Sequence, residues 1–118
     1  MSTSVTLVSA SRLKLEASQQ DGGTLLRLSG RLAYDEAAAF KDEVKRRIPQ
    51  AKRIVLDLTD LTFMDSSGLG AIVSVYVSAK AGGCELGLIN LNKQIRELLR
   101  FTRVLSLFEP CGRYPIRM

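Results

Sequence analysis

The segment Thr59-Asp60-Leu61-Thr62-Phe63-Met64-Asp65-Ser66-Ser67-Gly68-Leu69-Gly70 constrains this chain more than any other stretch. Just before it, Ile54-Val55-Leu56-Asp57-Leu58 is nearly continuously apolar and β-branched at its start, which predicts a central strand with both faces covered. After it, residues from about Ser67 to Ala81 are apolar nearly all round, which predicts a buried helix. Gly82-Gly83 fits its left-handed cap. For stability alone the junction is a poor helix start, since Gly68 and Gly70 each cost roughly 0.5–1 kcal/mol relative to alanine inside a helix. Two readings stand side by side. Asp65 or Ser66 is an N-cap, with the glycines allowing close helix–sheet packing. Alternatively, the glycines bare the backbone because a phosphate or a protein surface approaches there.

The rest of the chain reads as a single α/β domain, residues 1–118. Met1 to Ala10 is small and polar and reads as a flexible or edge N-terminal segment. Leu13-Lys14-Leu15-Glu16-Ala17 alternates apolar and polar as a half-buried strand does. Asp21-Gly22-Gly23 supplies turn chemistry, and a second strand around Leu26 and Leu28 ends at Gly30, so a hairpin is expected. From about Asp35 to Ile48, Ala37, Phe40, Val44 and Ile48 recur on one helical face. Acids in the first turn and Lys45-Arg46-Arg47 in the last suit the helix dipole, and Pro49 stops the helix. Glu85 to Ile89 is another short strand. Asn92 caps a last helix whose Ile95, Leu98, Leu99 and Thr102 share a face, and Val104 to Phe108 reads as a returning edge strand. The order β-β-α-β-α-β-α-(β) predicts a mixed β-sheet of about 4–5 strands flanked by about 3–4 helices.

Composition excludes several chemistries. The chain contains no histidine, which removes Ser-His-Asp and Cys-His catalysis. Cys84 and Cys111 are far apart and read as free thiols, too few for a zinc site. No metal or cofactor is expected. The N-terminus lacks the basic region and apolar run of a signal peptide, and the apolar stretch Leu69 to Val77 is far short of the ~20 residues of a membrane span. A soluble, cytoplasmic protein without membrane insertion is the expectation. The formal charge of +5 is concentrated after Asn90, where Lys93, Arg96, Arg100, Arg103, Arg113 and Arg117 face only Glu97 and Glu109. No aromatic residues interleave with these bases to stack on nucleotides, so a solvated basic face is favoured over direct nucleic-acid binding.

Tested as a phosphate loop, the junction fails: no lysine stands in or beside it, and Asp65 repels an anion. Only Gly68-Leu69-Gly70 matches a dinucleotide fingerprint, and a nucleophile elbow lacks both its pattern and its histidine. No catalytic residue emerges, and an enzyme is not expected.

Phe63-Met64-Asp65-Ser66-Ser67-Gly68-Leu69-Gly70 resembles the phosphorylation motif of the stand-alone anti-sigma factor antagonists of the STAS domain family, whose domain also forms the tails of sulfate transporters. Gly30-Arg31-Leu32, Val55-Leu56-Asp57-Leu58 and the region from Ile95 to Phe108 extend the resemblance over essentially the whole chain. It implies a mixed sheet flanked on one side by helices. It also implies that Ser66 accepts phosphate from a cognate anti-sigma factor that is itself a serine kinase. The unphosphorylated form binds that kinase and frees a sigma factor, and a PP2C-type phosphatase resets the phosphorylated form. Asp65, Ser66, Ser67, Gly68, Leu69, Tyr34 and Asp35 are the partner-binding positions under this resemblance. Gly68 and Leu69 are expected at the exposed helix tip, with Leu69 either an apolar anchor or a core residue. The family often places an acid after Gly-x-Leu; here Ala33 stands there, with Tyr34 and Asp35 next, and Asp35 is the candidate substitute. The alternative role is a STAS-domain subunit of a larger signalling assembly or of a membrane transporter complex.

Overall fold

The alternation beginning at Leu13 is realised in full. In the computed structural model, which describes residues 5–10, 12–20 and 23–101, strand β2 (Leu13–Gln20) pairs antiparallel with β1 (Val5–Ala10) on one side and β3 (Gly23–Leu32) on the other. Leu13, Leu15 and Ala17 are buried, while Lys14 and Glu16 are exposed. Residues 5–10 of the N-terminal segment are therefore the edge strand of the sheet, with Val5 opposite Ser18 and Ala10 opposite Leu13.

The second strand runs on past Gly30 to Leu32. At Gly30 the backbone adopts φ +101°, and a Cβ there would overlap the carbonyl oxygen of Arg12. Glycine alone accommodates both conditions. The pairing register of β3 with its parallel neighbour shifts on either side of this residue, and the bulge carries the strand end toward the helices.

Helix α1 (Tyr34–Arg47) buries Ala37, Phe40 and Val44, and Ile48 continues the same face. Ile48-Pro49-Gln50 forms one tight 3-10 turn after it. Strand β4 (Arg53–Met64) is longer than the apolar run at its start, because Leu61 and Met64 bury side chains beyond Leu58. It lies between β3 and β5 (Glu85–Ile89), parallel to both, in the order β1-β2-β3-β4-β5. The expectation that both its faces are covered is corrected. Ile54, Leu56 and Leu58 are buried, but Val55 and Asp57 are half-buried. The continuous run arises because an apolar side chain, Val55, also occupies a position on the more open face.

Helix α2 (Ser66–Ala81) packs beside α1, and Gly83 follows it at φ +73°. Apolar all round in sequence, it is buried on one side only: Gly68, Ala71, Ile72, Val75 and Ala79. Helix α3 (Lys93–Phe101) starts where Asn92 accepts the Ile95 N–H at 2.9 Å and donates to the Leu61 carbonyl at 2.8 Å, which pins it to β4. Ile95 and Leu99 are buried and Leu98 half-buried. Thr102, the strand expected over Val104 to Phe108, Cys111 and the Asp21-Gly22 turn lie outside the described residues.

Candidate functional site

β3 and β4 run parallel and end together, with Leu32 opposite Met64. Each is followed almost at once by a helix, so the N-termini of α1 and α2 are delivered side by side at the C-terminal ends of these two interior strands. Asp65 fastens them together. Its Oδ1 accepts the Gly68 N–H at 3.0 Å as the N-cap of α2, and its Oδ2 accepts the Tyr34 N–H at 3.2 Å from the first residue of α1. Its own N–H reaches the Leu32 carbonyl at 3.4 Å. One carboxylate thus satisfies amides from two helix starts, which otherwise lack intrahelical partners.

Gly68 completes the joint. A Cβ on it would overlap the Leu32 carbonyl oxygen and stand 2.9 Å from Met64 Cγ. The expectation of an exposed Gly68 is corrected: it is buried, because the first turn of α2 presses directly on the end of β3. Leu69 is half-buried against the core and Ser67 is half-buried. Gly70 is exposed, and a Cβ there would meet nothing within 4 Å. The two glycines of the motif therefore have different causes, which their spacing did not reveal.

Ser66 is the first residue of α2 and is exposed. Since Asp65 is the cap, the Ser66 hydroxyl is not needed to start the helix. The first turn of α2 carries no acidic residue. Its amides and dipole favour an anion, and the Asp65 carboxylate at the cap offsets part of that gain. Tyr34 is 78% exposed. Asp35 is exposed in the next position of α1, and Ala33 is buried as that helix's N-terminal flanking residue.

Two features at this end of the sheet were not singled out from sequence. Glu36 is buried and accepts the Ala33 N–H at 3.2 Å and the Arg12 N–H at 3.3 Å, tying α1 to the one end of the β2–β3 ladder where β2 begins and β3 finishes. A glutamate three residues after a helix start was the available signal. On the outer side of the sheet the Arg31 guanidinium lies 4.9 Å from the centre of the Phe63 ring. Further along β4, the Asp57 carboxylate accepts from the Thr59 amide and hydroxyl and from Asn90. Burial raises the pKa of Asp57, but these hydrogen bonds and the charge of Arg27 outweigh it and hold the group below the ordinary aspartate value. Among the described residues no cluster of acidic or cysteine groups could hold a metal ion. None of their helices is long and apolar enough to cross a membrane.

A mixed five-stranded sheet with two helix starts locked at the ends of its parallel central strands defines a small α/β domain with an exposed serine at its rim. Residues 14–116 match the STAS domain, and the chain belongs to that family. It is 34% identical over 89 residues to the anti-sigma F factor antagonist of Paenibacillus polymyxa, covering 74% of this chain and 76% of that one. Its fold is similar to an anti-sigma factor antagonist from Mycobacterium paratuberculosis, with a TM-score of 0.73 at 18% identity over 97% of this chain and 86% of that one. It is also similar to the Bacillus cell fate determinant SpoIIAA in its phosphorylated form, with a TM-score of 0.62 at 20% identity over 98% and 91% of the two chains.

Proposed function

We propose that this chain is an anti-sigma factor antagonist, a binding protein and not an enzyme, acting in the cytoplasm and switched by phosphorylation of Ser66. The observation that carries this reading is the division of labour at the start of α2. Asp65 holds the helix, and Ser66 stands exposed beside it with no part in the cap. A hydroxyl placed so can gain a phosphate without disturbing the fold. The modification adds about −1.5 to −2 charges at neutral pH.

The effect then falls on whatever binds over Ser66. One added like-charge pair at about 4 Å costs about 4 kcal/mol at an effective dielectric of 20, roughly a thousandfold in affinity. The partner in this reading is an anti-sigma factor with serine kinase activity. A PP2C-type phosphatase reverses the step. Tyr34, exposed and tied through its amide to Asp65, adds an aromatic contact next to Ser66.

The test uses the anti-sigma factor kinases of the source cell, each purified and incubated with ATP and this chain. One of them is expected to bind the wild type and to phosphorylate Ser66, as read by peptide mass spectrometry. Ser66→Asp is expected to bind it at least about a hundredfold more weakly, with an unchanged circular dichroism spectrum. Equal binding of Ser66→Asp and wild type sinks the switch. Binding to transporter subunits and to none of the kinases moves the role to a transporter complex.

A further inference from the structure

Helix α2 lies on the surface of the domain, yet Lys80 is the single charged residue along its length from Ser66 to Ala81. At 100° per residue, Ser66, Gly70, Val73 and Val77 fall on one line pointing away from the buried Gly68, Ile72, Val75 and Ala79. Val77 is 59% exposed, and Val73, Leu69 and Tyr76 beside it are half-buried. A surface helix ordinarily carries polar residues on its outer face. This one presents an uncharged strip of Ser66, Gly70, Val73 and Val77, about 16 Å long, in which Val73 also packs against the core and Val77 is the exposed large apolar side chain.

Gly70 sharpens the point. Glycine inside a helix is unfavourable relative to alanine. At Gly68 the fold demands it, but at Gly70 a Cβ would meet nothing within 4 Å and the residue is exposed. Nothing among the described residues explains a glycine at that position. It lies one turn from Ser66, on the same face, where a bare backbone admits an outside surface closely.

We infer that the outward face of α2, from Ser66 through Gly70 and Val73 to Val77, is covered by the same anti-sigma factor that Ser66 controls, with Gly70 at the point of closest approach. This rests on the proposed function and extends it. Area decides against a second copy of this chain. The outer face of the helix offers roughly 24 by 10 Å. Two such faces bury on the order of 500 Å², below the roughly 1,000 Å² of a specific interface. A partner that also covers the Ser66 edge and Tyr34 gains the missing area. The low charge of the strip leaves the phosphate as the dominant electrostatic event when the switch is thrown.

The experiment measures binding of the anti-sigma factor kinase that captures the wild type, against Gly70→Ala and Val77→Asp, with Tm recorded for each. Gly70→Ala is expected to raise Tm by roughly 4 °C, because alanine is the better helix former and has room. Its affinity should nevertheless fall at least about tenfold. Val77→Asp should weaken binding by a similar factor with Tm nearly unchanged. Binding of both variants as tightly as wild type overturns the inference while leaving the Ser66 switch standing. Binding of the wild type by none of the kinases overturns the switch and this inference together. A change in the sedimentation of Val77→Asp alone, without loss of kinase binding, makes the face a self-interface and refutes the assignment.

Discussion

Gly68 and Gly70 are two residues apart in one helix, and the same substitution is expected to act on them with opposite sign. Replacing either by alanine gains about 1 kcal/mol of intrinsic helix propensity. At Gly70 the new methyl meets nothing within 4 Å, so the gain stands. At Gly68 the methyl overlaps the Leu32 carbonyl oxygen and crowds Met64 Cγ, 2.9 Å away. The carbonyl belongs to the end of a central strand and cannot swing aside as a side chain does. The first turn of α2 must lift instead, and overpacking of this kind costs about 1–3 kcal/mol. Lifting also stretches the Asp65–Leu32 bond, already 3.4 Å, and the 3.2 Å Tyr34–Asp65 bond, each contributing about 1 kcal/mol. After the propensity gain is subtracted, Gly68→Ala should lose about 2–4 kcal/mol, or roughly 8–16 °C in Tm. Urea unfolding followed by circular dichroism measures both variants, with a shift in midpoint at constant slope reporting stability. If Gly68→Ala unfolds within about 0.5 kcal/mol of wild type, α2 is not pressed against the end of β3 and the reasoning fails.

Other outcomes follow from the same contacts. Asp65→Ala removes the cap of α2 and leaves the Tyr34 amide without its acceptor, and should cost about 2–3 kcal/mol in urea unfolding; an unchanged midpoint would show that water replaces both bonds. Acid should destabilise the domain through Glu43 and Asp57. Burial raises the pKa of Glu43, but Arg46 and Arg47, at 2.6 and 2.7 Å, outweigh it, so both carboxyls titrate below their ordinary values in the fold. Their stabilisation is therefore complete above the ordinary carboxylate range near about pH 4 and is lost as pH falls through the lowered values. Midpoints between about pH 7 and pH 3 should fall less steeply in Glu43→Gln than in wild type. Parallel curves would remove Glu43 from the account.

The hairpin of β2 and β3, the face of α1 and the Asn92 cap were all legible because each depends on neighbours close in sequence. Alternation from Leu13, the spacing of Ala37, Phe40, Val44 and Ile48, and a lone asparagine before Lys93 each carry their own local physics. The edge strand β1 was only half-legible: Val5, Leu7 and Val8 suit a strand, but so short a segment carries no local signal of which neighbour it pairs with. Ser66 stood out because hydroxyls, an acid and glycines crowd one helix start.

What the sequence by itself determined was the order of elements, the exclusion of histidine chemistry and the position of the motif between a strand and a helix. Tertiary structure alone decided the roles inside that motif. It makes Asp65 the clasp for two helices, Gly68 a packing necessity under Leu32 and Gly70 a residue that no described neighbour requires to be glycine. Leu32 and Tyr34 are more than thirty residues from Asp65 in the chain. They come beside it only because two parallel strands end in register. A side chain's role depends on what stands within a few ångströms of it, and here that neighbour comes from another part of the chain.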